Sequence, residues 1–77
     1  MSSRVKFFRE SVQAHETREF LNMRGIKSYL RERTPTTVEQ GENPFGYDVF
    51  VLREEDVEEA KQLLLYEYGT DWGEAVA

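Results

Sequence analysis

The sequence predicts a single small α+β domain, a two-layer sandwich in which two helices cover one face of a three-stranded sheet. Three observations lead to this fold class. Short β-prone runs alternate with two segments of helical periodicity, glycines stand where helices should end, and 77 residues suit one domain. The predicted order of elements is β-α-β-β-α, with a core at about residues 5–68, a mobile loop at 34–46 and a tail at 70–77.

The first strand and the first helix are predicted from the residues that begin at Val5. The run Val5-Lys6-Phe7-Phe8-Arg9 is aromatic and β-prone, which is typical of a strand. Ser11 stands where a helix N-cap belongs, and Gly25 should end the helix, because glycine adopts the left-handed conformation at low cost. Between them, side chains at the spacing of one helix face form a narrow stripe: Ala14, Thr17 and Leu21.

Two further strands and a second helix are predicted after Gly25. Residues 26–32 should form the second strand, and residues 47–53, which are apolar on both faces, should form the central strand. The polar loop between them lets the third strand return antiparallel between the other two. Glu54-Glu55-Asp56 should open the second helix, because acidic side chains suit the positive end of a helix dipole. The stripe of this helix is Val57, Ala60, Leu64 and Tyr68.

Strand alternation divides the apolar residues between the two faces of the sheet. The face under the helices should carry Val5, Phe7, Ile26, Leu30, Val49 and Val51. The opposite face should carry Phe8, Tyr29, Phe50 and Leu52. A shift of one residue at Phe7-Phe8 would exchange the faces of these two rings. An uncovered apolar patch of this kind indicates a dimer or partner interface, unless the loop or the tail with Trp72 closes over it.

Composition excludes several classes of function and indicates no reaction. The chain has no Cys, and its apolar runs, such as Val49-Phe50-Val51-Leu52 and Leu63-Leu64-Leu65, are far shorter than the roughly 20 residues that a membrane span requires. His15 is the only His, and a metal site would need further ligands at defined geometry. We find no nucleophile beside a base and no Gly-rich phosphate loop. We therefore expect no enzyme activity, no catalytic residue, no metal and no cofactor.

The charge is divided unevenly along the chain. Residues 1–33 carry eight Lys or Arg and four Glu, a net +4, whereas residues 34–77 carry a net −9, which gives −5 in total. We interpret the two halves as neutralising each other within one domain, with a basic half that faces an anionic partner as the alternative. A small domain without disulfides often gains stability by oligomerising, so we expect a dimer. The start of the chain has no apolar leader, so we expect a cytoplasmic protein.

A longer pattern resembles a known protein family. The spacing Leu21-x3-Gly25-Ile26-x3-Leu30, then Val49-x-Val51, then Glu54-Glu55-Asp56-x3-Ala60-x2-Leu63-Leu64 is similar to that of a family of short bacterial proteins described as prokaryotic signal-transducing proteins. Their fold is like that of the PII-type nitrogen regulators. The likeness runs from about Val5 to Tyr68. It implies a ferredoxin-like, PII-like plait and a regulatory or interaction role, and it implies no site residues.

The sequence thus predicts a non-catalytic regulatory or interaction module. It should associate with itself or bind a protein partner through a sheet face formed by Phe8, Tyr29, Phe50 and Leu52. The alternative is a sensor of a small metabolite or nucleotide that uses loop 34–46 as a lid. Single-stranded nucleic-acid binding is a third hypothesis, because aromatic rings on such a sheet can stack bases. The predicted third strand, however, carries Asp48 and a single Arg where RNA-binding sheets carry basic and Gly residues.

Overall fold

The computed structural model describes residues 3–36, 41–70 and 72. These residues form an α+β domain with a three-stranded antiparallel sheet in the order β1-β3-β2, so the predicted central position of the third strand is confirmed. Among the described helices, none is long and apolar enough to cross a membrane. The elements, in chain order, are β1 (Arg4–Phe8), α1 (Ser11–Met23), β2 (Ser28–Glu32), β3 (Tyr47–Val51), a 3-10 turn (Glu54–Asp56) and α2 (Val57–Tyr68).

The two ends of α1 differ in how well the sequence predicted them. Ser11 is the first helical residue rather than the N-cap, because Glu10 takes the extended N-cap conformation with φ −105° and ψ 136°. The end at Gly25 is confirmed, since its φ is +85° and the Ile26 amide donates to the Leu21 carbonyl at 3.0 Å. This hydrogen bond closes a Schellman ending and turns Ile26 into the core.

The helices bury most residues of the stripes that their periodicity predicted, and Val57 and Tyr68 of the α2 stripe are partly buried. Ala14, Thr17 and Leu21 are buried on α1, and Ala60 and Leu64 are buried on α2. The acidic triplet forms the 3-10 turn before α2 and so precedes the α-helix instead of opening it. Apolar residues of both helices share one buried cluster with residues of the strands: Val5, Phe8, Ala14, Leu21, Ile26, Val49, Val51, Ala60 and Leu64.

The predicted faces of Phe7 and Phe8 are wrong. Phe8 is fully buried in the core cluster, where it was expected on the opposite face. Phe7 is buried as well, but it lies outside the core cluster and across from Asp48 of β3. Each ring therefore lies on the side of the sheet that was predicted for the other.

A β-bulge in β1 is the physical reason for this exchange. Arg4 pairs with Phe50, whereas Lys6 pairs with Val49, so two residues of β1 span one step of β3. Such an insertion shifts the alternation of every later residue of the strand by one. The sequence pattern assumed unbroken alternation from Val5 onward and so placed both phenylalanines on the wrong side.

Trp72 packs against the domain, as the sequence predicted for the only tryptophan. Its indole Nε1 donates to Thr17 Oγ1 at 2.7 Å, and its ring stacks on Tyr68 with the centroids 4.2 Å apart. It also meets Phe8 edge to face at 5.9 Å. Trp72 therefore extends the core and does not cover Tyr29 or Phe50. The rest of the predicted tail, at 71 and 73–77, lies outside the described residues.

Candidate functional site

The candidate site is the sheet face opposite the core cluster, which we call the open face. Its residues alternate with the core residues of the strands, and the register of β3 with both neighbours aligns them in rows. The rows continue one residue beyond β2 and β3, since the Leu52 amide donates to the Lys27 carbonyl at 3.0 Å. The open face consists of Arg4, Phe7, Lys27, Tyr29, Arg31, Arg33, Asp48, Phe50 and Leu52.

Tyr29 and Phe50 form a stacked pair at the centre of the open face. They are direct cross-strand neighbours, their ring centroids are 5.2 Å apart, and their planes differ by 10°. The guanidinium carbon of Arg31 lies 4.8 Å from the Phe50 centroid. Tyr29 is 40% exposed, but Phe50 is only 8% exposed, so the Phe50 ring has no free face to offer a ligand. Stacking and cation–π contact thus hold Arg31 and Tyr29 in fixed positions at the surface.

Three of the four residues predicted for the interaction face lie on the open face. Tyr29, Phe50 and Leu52 are there, and Leu52 is 60% exposed. Phe8 is the exception because of the β1 bulge, and Phe7 takes its side of the sheet. The open face is less apolar than predicted, since arginine side chains cover much of its aromatic surface.

A buried ion pair that the sequence analysis missed lies beside the aromatic pair. Asp48 is 1% exposed and accepts from Arg33 at both carboxylate oxygens, from Nε and Nη2, at 2.8 Å each. The Arg33 guanidinium also lies 4.0 Å from the centroid of Phe7. The available signal was Asp48 itself, because a carboxylate in an otherwise apolar central strand needs a cationic partner when it is buried.

The ion pair extends to the loop that precedes β3. Arg33 Nη1 donates to the Asn43 carbonyl at 3.1 Å, and Arg4 Nη1 lies 3.3 Å from Glu42 Oε2. These contacts attach residues 41–46 to the edge of the open face. The prediction of a mobile loop at 34–46, with a possible role as a ligand lid, falls partly on 37–40, which lie outside the described residues.

Gly46 lets Phe7 pack at the foot of β3. Its φ is +128°, and an added Cβ would stand 2.4 Å from Cε1 of Phe7 and 2.9 Å from the carbonyl oxygen of Phe8. The Gly46 carbonyl also accepts from the Arg33 amide at 2.8 Å, which continues the β2–β3 ladder. Any side chain at this position would displace Phe7 from beneath Arg33.

The open face is basic, although the chain is acidic. Arg4, Lys27, Arg31 and Arg33 stand against Asp48 and the neighbouring Glu42, a net +2 in a chain of −5. Both Lys27 and Arg31 are exposed on either side of Tyr29. Acidic residues instead crowd the 3-10 turn and the start of α2. A partner that approaches the open face therefore meets positive charge around an aromatic centre.

Two groups away from the open face, Arg53 and Tyr68, have shifted pKa values. A hydrogen bond to Glu55 raises the pKa of the exposed Arg53 guanidinium. Burial, followed by the negative charge of Glu16, raises the pKa of the Tyr68 phenol above its usual value of 10.0. The open face presents hydrogen-bond donors, a half-exposed aromatic ring and fixed charges. Within the described ranges, no three acidic or His side chains are placed to hold a metal ion.

A cleft lies between β1 and α2, away from the open face. Its volume is about 330 Å³, and Val5 and Leu64 contribute apolar surface while Lys6, Glu58 and Lys61 contribute charge. None of its lining residues belongs to the described parts of loop 34–46, so those parts do not form a lid over it.

No protein-family model, no curated protein and no solved structure matches this chain. The resemblance to the signal-transducing family therefore stays a prediction.

Proposed function

We propose that the protein is a non-catalytic interaction module that binds a protein partner on the open face. The observation that carries this proposal is the Tyr29–Phe50 stack, held beside Arg31 on the side of the sheet away from the core cluster. Tyr and Arg are the residue types that dominate binding energy at protein interfaces. A half-exposed Tyr with its ring already fixed also loses little conformational entropy when a partner binds.

The size of the open face favours transient binding. Five-residue strands at about 3.3 Å per residue and about 4.8 Å apart give a face of roughly 16 by 14 Å, or about 230 Å². A stable interface buries about 800 Å² on each partner. The partner must therefore also contact residues beyond the five-residue strands, such as Lys27 and Leu52 at the end of the open face, or it must bind weakly.

Charge favours a different protein over a second copy as the partner. If two open faces met, Lys27 and Arg31 of one copy would approach the same basic residues of the other, and like charges at an interface weaken binding. Self-association was one of the two forms that the sequence predicted, through a face of Phe8, Tyr29, Phe50 and Leu52. Without Phe8, which lies in the core, it is the weaker version of the proposal. It predicts a dimer only at high protein concentration.

We extend the proposal to the finer fold and to the role. A ferredoxin-like β-α-β-β-α plait with both helices on one face is supported by the shared cluster of Leu21, Leu64 and Val49. A regulatory role in signal transduction is supported by the family resemblance of the sequence alone. In such a role the protein would transmit a signal by binding its partner on the open face, without catalysing a reaction.

Selection of peptide binders from a random displayed library tests the proposal. Binders selected on the wild type should lose at least about tenfold in affinity with Tyr29→Ala, because a central aromatic residue is a typical hot spot. Tyr66→Ala is the matched control, since Tyr66 is 91% exposed on α2, away from the sheet. Binders that ignore Tyr29, or that depend on Tyr66, would contradict the proposal.

Sedimentation over a hundredfold range of concentration tests the self-associating version. A rise above the 9.1 kDa monomer mass that substitution of the exposed ring, Tyr29→Asp, abolishes would support it. A constant monomer mass would leave only the heterologous partner.

A further inference from the structure

We infer that the outer edge of β2 accepts an extended acidic segment of the partner as a fourth strand. The inference rests on the proposed function, because Tyr29 and Arg31 belong to the open face, and it names the chemistry of the partner. An added strand would combine backbone hydrogen bonds to β2 with side-chain contacts along one row of the open face.

The backbone of β2 has a free edge. The order β1-β3-β2 leaves one side of β2 without a strand among the described residues. The Arg33 amide bonds to Gly46 and the Lys27 carbonyl bonds to Leu52, so the odd-numbered residues of β2 turn their backbone toward β3. In an antiparallel ladder the alternate residues then point outward. Ser28 confirms this direction, since its amide donates to Asn22 Oδ1 at 2.9 Å.

The backbone N–H and C=O groups of Leu30 and Glu32 therefore point outward, where a partner strand can bond to them. Asn22 satisfies the amide of Ser28, which closes one end of the edge. No described residue accepts from or donates to the outward backbone groups of Leu30 and Glu32. A strand docked here would gain hydrogen bonds to both residues without displacing a backbone hydrogen bond between described residues.

The other edge of the sheet is less suited to an added strand. β1 carries the bulge between Arg4 and Lys6, and bulges interrupt the ladder and twist an edge away from a partner. β2, in contrast, pairs with β3 in a regular register from Ser28 to Glu32. A regular ladder on one side of a strand leaves a regular row of groups on the other side.

Side-chain alternation specifies the chemistry of the added strand. On the open face, β2 and the residue before it carry three exposed side chains in a row, Lys27, Tyr29 and Arg31. An added strand would lie about 4.8 Å away and set every second side chain beside them. Acids would pair with Lys27 and Arg31, and an aromatic residue would pack on Tyr29. On the other face, an apolar residue would cover the half-buried Leu30.

A blocked peptide with the central sequence Glu-Val-Tyr-Val-Glu is the probe, and its palindrome makes the strand direction immaterial to the side-chain match. Fluorescence anisotropy should show binding to the wild type that Arg31→Glu weakens at least about tenfold, because the reversed charge repels the acidic peptide that Arg31 attracts. Lys61→Glu is the matched control, because Lys61 is exposed on α2 and the substitution changes the net charge equally. Its affinity should stay within about twofold of the wild type.

Methylation of the peptide backbone separates strand addition from side-chain docking. For an antiparallel strand, N-methylation of the two Val amides should abolish binding, because these amides face Leu30 and its neighbours. Methylation of the Tyr amide should be tolerated. Bound peptide should also slow hydrogen exchange at the amides of Leu30 and Glu32.

The outcomes distinguish this inference from the proposed function. Failure of the acidic peptide to bind the wild type overturns the strand-edge inference. If that failure occurs while library binders still require Tyr29, the proposed function stands. Binding that resists methylation both of the two Val amides and of the Tyr amide overturns strand addition in either direction and keeps the open face as the site. If Lys27 and Arg31 serve only to protect the edge from aggregation, their replacement by Ser will raise self-association and no peptide will bind, which also overturns the inference.

Discussion

Removing the carboxylate of Asp48 should destabilise the domain more than any surface substitution. Asp48→Ala leaves the Arg33 guanidinium, which is 6% exposed, without its two 2.8 Å hydrogen bonds. Breaking one side of a buried ion pair costs about 3–5 kcal/mol. Glu42 lies 3.9 Å from Arg33 Nη2 and is one-third exposed, so it can recover part of this loss. We therefore expect a loss of about 3 kcal/mol, at the lower end of that range.

A loss of this size should be plain in thermal unfolding. At about 2.1 cal/mol/K per residue, the unfolding entropy of the chain is about 0.16 kcal/mol/K, so 3 kcal/mol lowers Tm by about 19 °C. Urea unfolding followed by circular dichroism gives the free energy directly. At about 0.05–0.15 kcal/mol per residue, the total stability of 77 residues is about 4–12 kcal/mol, so the variant should still fold near its temperature of maximum stability.

The double variant Arg33→Met with Asp48→Val provides the control. Replacing both partners of a buried pair by apolar side chains removes the desolvation cost of both charges and is often neutral. We expect the double variant to lie within about 1 kcal/mol of the wild type and above Asp48→Ala. A single variant that loses less than about 1 kcal/mol, or a double variant that loses the sum of both singles, would refute this account of the pair.

Three further predictions concern stability. Gly46→Ala should cost about 3 kcal/mol in urea unfolding, because its Cβ collides with Phe7, whereas Gly41→Ala, with φ +94° and open space, should cost only about 1 kcal/mol of backbone strain; equal losses would show that the collision is relieved. Trp72→Phe should lose about 1 kcal/mol with the hydrogen bond to Thr17, and an unchanged Tm would mean that this bond contributes nothing. The raised pKa of Tyr68 favours the folded state below about pH 10, and this stability should be lost as pH rises through the folded pKa. Ultraviolet titration of wild type against Tyr68→Phe measures that pKa, and ionisation at or below 10.0 would contradict the shift.

The parts of the fold that depend on local spacing could be predicted. Ala14, Thr17 and Leu21 share a helix face because of their spacing, and Gly25 ends the helix because of its backbone freedom. The order of the strands followed from the long connection before the most apolar strand. These features need only residues that are close in sequence.

The parts that depend on non-local pairing could not be predicted. The bulge in β1 is defined by its pairing with β3, and no residue of the run from Val5 to Arg9 is a local sequence signal for it. The Arg33–Asp48 pair joins residues 15 apart in the sequence across the β2–β3 ladder. Tyr29, Phe50 and Leu52 were placed correctly because alternation in β2 and β3 is unbroken. Phe8 was misplaced because alternation in β1 is broken.

The β-bulge in β1 marks a position where the strand can lose one residue without changing its pairing with β3. If Val5 were deleted, Arg4 would still stand opposite Phe50 and Lys6 opposite Val49, now as consecutive rungs of an ordinary ladder. The domain would lose one buried side chain, and the later residues of β1 would keep their sides of the sheet. Deletion of Phe7 with the bulge retained would instead move Phe8 from the core side of the sheet to the open face. One-residue indels in homologous chains should therefore gather at this single point of the first strand.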